Sequence, residues 1–437
     1  MSLEIYLKPK VNMGEIKKVP EIRFGGFTDE WQTTEVGFFY NFKNGLNKGK
    51  EFFGYGKPIV NFTDVFHNRE LYASELKGKV DVTTDEIKNY GVRKGDLFFT
   101  RTSETIDEIG YPSVILDEPK DAVFSGFVLR ARAIDEDPLD DLFKKYVFNT
   151  EVFRTEMIKK SSMTTRALTS GTAIKKMLFT FPIDKKEQRK LGEQLTKIEK
   201  LLKNHNTQLK KLTNLKKAML IKMFPQDGAS VPEIRFKGFD GEWERIKLDD
   251  IGFSTSGTSI ESEFNSKGKY KVISIGSYSE NSTYTDQGLR VNLNQTTEKR
   301  ILKKNDLTMV LNDKTMSGNI LGRVLLIEES DAYVYNQRTQ RIEPNQNKFN
   351  AEFLYQLFNA PTKREKIIKI CQGNTQIYVN WSVVKELKYL IPEINEQQKI
   401  GNYFKNLDNL IDHHRNQLKK LNQIKNACLS KLFVSQD

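Results

Sequence analysis

The chain has 437 residues, 38% of them hydrophobic and 29% charged, which is long for one domain and suits two or more with real cores. Lys and Arg outnumber Asp and Glu by 69 to 57, a net charge of +12 that favours a polyanionic partner. With only Cys371 and Cys428 there is no disulfide framework or zinc knuckle, no basic-then-apolar leader opens the chain, and no apolar run approaches membrane-spanning length. The expectation is a protein of a reducing cytoplasm with no membrane partner.

In chain order, residues 1–18 match nothing later and read as an N-terminal extension. Residues 19–31, VPEIRFGGFTDEW, open the first block, whose middle carries short β-branched and aromatic runs at 57–62, 95–100, 111–118 and 122–134. A helical stretch follows at 139–160. Residues 187–224 contain no Pro and one Gly, and apolar residues recur at alternating spacings of three and four. This predicts a helix roughly 55–60 Å long at 1.5 Å per residue. Pro182 sits just before it, where proline is tolerated.

The chain then repeats itself. Residues 231–243, VPEIRFKGFDGEW, share ten of thirteen positions with 19–31. A second set of strand-like runs lies at 269–275, 305–311, 320–329 and 332–342, followed by a helical stretch at 351–370. After Pro392, residues 396–433 align without gaps to 187–224 at sixteen of 38 identical positions. Between these shared ends the copies diverge, leaving faint echoes: VRKGDL (92–97) against LKKNDL (302–307), and TRALTS (165–170) against TQIYVN (375–380). Divergence confined to the middles is the pattern of two readers of different targets.

The predicted architecture is therefore two mixed α/β (α+β) domains in tandem, each followed by a long helix, with the two helices paired as an antiparallel coiled coil. The boundaries fall at 19–181 and 182–228 for the first domain and helix, and at 229–391 and 392–437 for the second. The seams read Leu195, Ile198, Leu202, His205, Leu209, Leu212 and Phe404, Leu407, Ile411, His414, Leu418, Leu421. A stripe this long cannot stay exposed, so the helices pack on each other or on the globular domains. His205 and His414 read as ordinary core histidines rather than a pH switch.

The order domain, long helix, domain, long helix resembles the specificity subunits of Type I restriction-modification enzymes. So do the P-E-I-R-F-x-G-F-x-x-E-W opening and the E-Q-x-K helix start after a proline, from about residue 19 to 433. The resemblance implies two target recognition domains, each reading a half-site of double-stranded DNA, with the helices as a spacer. It implies two modification subunits, which are adenine methyltransferases using S-adenosylmethionine. It also implies two restriction subunits that use ATP and Mg for translocation and cleavage, in a bacterial cytoplasm. On this view the chain itself binds no cofactor and is not an enzyme.

The residues agree with a chain that borrows its chemistry. GKEFFGYGK (49–57) lacks the Lys-Ser/Thr step of a phosphate loop, and four His and two Cys form no cluster with metal spacing. Candidate readers are polar or basic residues in loops, because Arg suits guanine and Asn or Gln suit adenine. Arg101, Thr102 and Ser103 are set against Asn312, Asp313 and Lys314, after the GDL/NDL strands. Thr164, Thr165 and Arg166 are set against Asn374, Thr375 and Gln376. Asn61 and Thr63 are set against Ser274, at the end of the first internal strand. Asn336, Gln337 and Arg338 form a polar cluster peculiar to the second copy. The plainer reading of each is a solvated turn. Two rival functions are a two-repeat coiled-coil scaffold without DNA readout and a self-contained nuclease.

Overall fold

The computed structural model describes residues 19–434, so the N-terminal extension lies outside the described residues. The chain forms two compact units. One holds the residues up to His205 together with those from Gln417 onward; the other runs Asn206–Asn416. The units cut across the sequence blocks, because the division falls inside both long helices, Lys185–Lys222 and Ile394–Lys431.

The first unit is built on a five-stranded sheet in the order Tyr40–Asn44, Val128–Ala133, Leu97–Thr100, Pro112–Ile115, Glu70–Leu71. All four residues of Leu97–Thr100 are buried, as expected of a central strand covered on both faces. A smaller sheet sets Phe53–Val60 between Lys79–Val80 and Val123–Phe124. The second unit repeats the plan with four strands, Gly252–Ser256, Thr339–Pro344, Leu307–Val310 and Val324–Leu326, and a small sheet centred on Tyr270–Ile273. The run 122–134 is thus two strands divided by a turn, and 332–342 divides in the same way. Each helical stretch is also two helices. Thr150 caps Glu151–Lys160 by accepting the Phe153 amide, and Pro361 opens Pro361–Ile368 at a position that needs no amide hydrogen.

The shared ends of the repeat are the places where each unit is tied together. In the first unit Arg23 donates twice to Glu187, at 2.7 and 2.8 Å; in the second Arg235 donates twice to Glu396, at 2.8 and 2.7 Å. The Glu187 and Glu396 side chains are 2% and 0% exposed, so each charge depends on its bidentate partner. The adjacent glutamines repeat as well. Gln188 donates to the carbonyls of Pro182 and Pro138 and accepts the Asp140 amide. Gln397 donates to the carbonyls of Pro392 and Lys348 and accepts the Asn350 amide.

The single glycine of each long helix has a steric cause. A Cβ on Gly192 would lie 2.7 Å from the Leu142 carbonyl carbon, and one on Gly401 would lie 2.9 Å from the Phe353 amide nitrogen. The helices Asp141–Val147 and Ala351–Asn359 cross the long helices there at backbone contact. Each opening also caps the end of a long helix. The Ile22 amide donates to the Lys431 carbonyl, and the Ile234 amide donates to the Lys222 carbonyl, both at 2.9 Å.

Within each unit the helix segments run antiparallel, as expected of the architecture. In the first, Glu199 accepts from Lys425 at 2.8 Å, while Leu195 shares a core with Cys428 and Leu432. In the second, Lys216 donates to Asp408 at 2.6 Å, and Phe224 stacks on Phe404 with centroids 5.9 Å apart. The seam is uneven. Leu195, Ile198, Leu202, Phe404, Leu407 and Ile411 are buried, whereas Leu209, Leu212, Leu418 and Leu421 are half-buried. The first turns of each helix belong to a globular core that also holds Trp31 and Phe143, or Trp243 and Phe353. Packing on the domain and packing on the other helix therefore coexist. His205 and His414 are both half-buried and fall one in each unit.

Candidate nucleic-acid interface

Two of the predicted loops converge in each unit. In the first, Thr102–Ser103 pairs with Ala167–Leu168, which forms a hairpin with Ser162–Met163. Thr164, Thr165 and Arg166 are the exposed tip of that hairpin. In the second, Asn312–Asp313 pairs with Ile377–Tyr378, and the exposed Asn374, Thr375 and Gln376 precede that strand.

The pairing fixes which residues correspond. Ser103 lies opposite Ala167 and Asp313 opposite Ile377; Thr102 lies opposite Leu168 and Asn312 opposite Tyr378. The matches are thus Thr102 with Asn312, Ser103 with Asp313, and Glu104 with Lys314, while Arg101 answers to Leu311. The sequence comparison set these loops one residue out of step. The correction matters because adjacent strand residues face opposite ways.

Ser103 and Asp313 are the inward members, 5% and 4% exposed. Each holds the turn that follows: the Ser103 hydroxyl accepts the Thr105 amide at 3.3 Å, and the Asp313 carboxylate accepts the Thr315 amide at 2.9 Å. Burial opposes the Asp313 charge, but the amides of Ile320 and Thr315 outweigh it and hold the carboxyl below its usual range. Both side chains are occupied within the fold.

Asn61 and Ser274 stand at the start of a short helix and a 3₁₀ turn, where their amides donate to Asp64 and Ser277 at 2.8 and 3.1 Å. The Ser274 hydroxyl is further engaged with Gln287 at 2.7 Å, while Thr63 is exposed. Asn336 is 4% exposed and accepts the Ile260 amide at 3.1 Å.

The outward members are more available. Lys314 is exposed. Arg166 is paired with Glu104 at 3.0 Å, with side chains 63% and 73% exposed, a surface pair that a phosphate or base edge can replace at little cost. Arg101 is half-buried and reaches back to the Gly126 carbonyl at 3.4 Å. Gln337 donates to Glu261 at 3.1 Å.

The turn that carries Asn336–Arg338 has a backbone counterpart in the first unit, Ser125–Phe127, without its row of polar side chains. The Asn336 amide donates to Ile273, and the Leu311 amide to Arg338. In the first unit the Ser125 amide donates to Val60, and the Arg101 amide to Phe127. Phe127 therefore occupies the place of Arg338. Sequence reasoning passed over it because it looked for polar readers; Phe127 is 61% exposed.

The scaffold beneath these surfaces repeats. Arg132 binds Asp96 and Arg341 binds Asp306, so the shared Asp of GDL and NDL is a buried anchor. Burial is the main influence on the Asp306 carboxyl and leaves it raised despite Arg341. Among the described residues no group of three His, Cys, Asp or Glu is placed to hold a metal ion, and no helix is long and apolar enough to cross a membrane.

Residues 240–423 match the family model of the Type I restriction modification DNA specificity domain. The Type I restriction enzyme MjaVIII specificity subunit of Methanocaldococcus jannaschii is 24% identical over 256 residues, 57% of this chain and 60% of that protein. The HindI specificity subunit of Haemophilus influenzae is 32% identical over 142 residues, 32% of this chain and 30% of that protein. The match thus spans about 60% of the length of the first relative and less of the second. A crystal structure of the Type I restriction-modification S subunit from M. genitalium has the same fold, with a TM-score of 0.63 at 16% identity, covering 96% of this chain and 100% of that one. Residues 240–423 are thus similar to the Type I restriction modification DNA specificity domain, and the chain shares its fold with a Type I S subunit over 96% of its length.

Proposed function

We propose that this chain is the DNA-recognition subunit of a Type I restriction-modification enzyme, and that it supplies specificity while partner subunits supply the chemistry. Each recognition domain, 19–181 and 229–391, reads one half-site of a two-part duplex target. The helical segments 182–228 and 392–437 act as the spacer that sets the unread gap. Two methyltransferase subunits with S-adenosylmethionine modify adenines, which such chemistry requires to be flipped from the stack. Two restriction subunits with ATP and Mg translocate and cut, all in the cytoplasm.

The observation that carries this reading is one backbone frame used twice with different outward side chains. Thr102 stands where Asn312 stands, Arg166 where Gln376 stands, and Glu104 where Lys314 stands. Equal frames with unequal donors and acceptors are what two unequal half-sites require. The excess of Lys and Arg favours the duplex through its phosphates.

The test is single-molecule methylation sequencing of a host carrying the chain and its methyltransferase. A two-part adenine-methylated sequence is the expected result. Exchanging residues 32–181 should then alter one half-site only. Methylation without sequence preference would favour the scaffold reading instead.

A further inference from the structure

We propose that one turn reads DNA with opposite chemistry in the two units: Phe127 contacts a thymine methyl group in one half-site, and Arg338 reads a guanine edge in the other. The inference rests on the DNA-recognition reading above and names its contacts.

The two positions are equivalent by backbone bonding. The amide after the buried central strand, of Arg101 or Leu311, donates to the carbonyl of Phe127 or Arg338 at 3.1 or 2.9 Å. On its other side the same residue's carbonyl accepts the amide of Thr169 or Val379, at 3.0 or 2.9 Å. The turn, the outward residue Thr102 or Asn312 and the neighbouring strand therefore form one contiguous patch in each unit.

The patches differ in character. In the first unit Phe127 is 61% exposed while Phe124, three residues earlier, is 0% exposed. Met163 and Leu168 of the adjoining hairpin are 50% and 41% exposed. Together with Thr102 they offer methyl, methylene and phenyl groups, the partners of a thymine methyl. In the second unit Arg338 is exposed and adopts φ +67°, a left-handed conformation that a branched or long side chain enters only under constraint. Turned so that its oxygen faces outward, the Asn312 carboxamide accepts from the Arg338 guanidinium at 3.2 Å. That contact orients a planar fork of donors, the shape that matches the O6 and N7 of guanine.

The test uses the full chain with its methyltransferase, after methylation sequencing has given both half-sites. Binding is measured on duplexes in which each thymine of both half-sites is replaced in turn by uracil, which removes only the methyl group. The wild-type complex is expected to lose roughly 3- to 5-fold at one thymine, the worth of one buried methyl. Phe127→Ala is expected to bind the thymine and uracil forms of that position equally, and Phe127→Leu to retain part of the difference. Arg338→Ala is expected to lose about 5- to 150-fold of its preference for one guanine in the other half-site and nothing in the first.

The proposal is overturned if no thymine loses its methyl dependence in Phe127→Ala. It is also overturned if Phe127→Ala and Phe127→Leu both release the methyltransferase, which would make the patch a protein contact, or if Arg338→Ala leaves every guanine preference intact. A wild-type complex that methylates no two-part sequence would instead remove the recognition reading itself.

Discussion

The two units repeat the residues that clamp their shared ends and differ at the surface positions of the paired loops. Arg23 with Glu187 and Arg235 with Glu396, Gly192 and Gly401, and Asp96 and Asp306 repeat in identity and in geometry. Phe127 and Arg338, Thr102 and Asn312, and Arg166 and Gln376 share only their backbone positions. One junction lies between these extremes. Glu199 accepts from Tyr146 and Lys425, and Asp408 accepts from Gln356 and Lys216, so the contact persists although the groups making it have changed. A duplicated chain can exchange partners in a buried network if both sides change, but it cannot leave a buried charge alone. On the surface neither constraint applies.

The largest blow to this symmetry should come from its buried clamps. Glu187→Ala strands the Arg23 guanidinium and should cost about 3–5 kcal/mol in chemical denaturation, and Glu396→Ala should cost the second unit a similar amount. Equal losses in the two would confirm that the clamp is one device used twice. Next come the glycines. Ala favours a helix interior by about 1 kcal/mol over Gly, yet Gly192→Ala and Gly401→Ala should destabilise by about 1–3 kcal/mol, because the crossing helix backbone must move. A stabilised variant would show that the crossing is loose.

Arg166→Gln and Gln376→Arg sharpen the contrast in the other direction. Each should shift preference at one base by about 1–3 kcal/mol in its own half-site and leave folding stability within about 0.5 kcal/mol. Methylation sequencing reads the first effect and thermal denaturation the second. The smallest effect concerns Glu199. Burial opposes its ionisation, but Lys425 and Arg69 hold its carboxyl below the usual range in the fold. A carboxyl depressed on folding adds stability above its unfolded pKa, and that stability is lost as pH falls through the folded value. Glu199→Gln should therefore cost about 1 kcal/mol near neutral pH, with the gap to wild type closing as pH falls below about 4.3. A gap that persists in acid would assign the loss to packing.

Much of this was legible in the residues. The repeat, the two long helices and their need of a packing partner follow from sixteen shared positions and a three-four apolar rhythm that only a helix converts into a stripe, whereas their antiparallel sense is set by contacts such as Glu199 with Lys425 and Lys216 with Asp408. The strand runs were visible too, since β-branched and aromatic residues bounded by turn formers have few other uses. The shared Arg, Glu, Gln and Gly positions stood out as identities, although nothing in the sequence told that Arg23 and Glu187, 164 residues apart, touch.

What the tertiary structure alone decided is which way the candidate readers point. In a two-residue strand such as Thr102–Ser103, a slip of one residue exchanges the inward and outward members. The divergent middles hold too few identities to fix that register. Only the pairing to Ala167–Leu168 and Ile377–Tyr378 turned Ser103 and Asp313 inward and brought Phe127 into line with Arg338, because side-chain direction in a strand is set by the partner it bonds and not by its own composition.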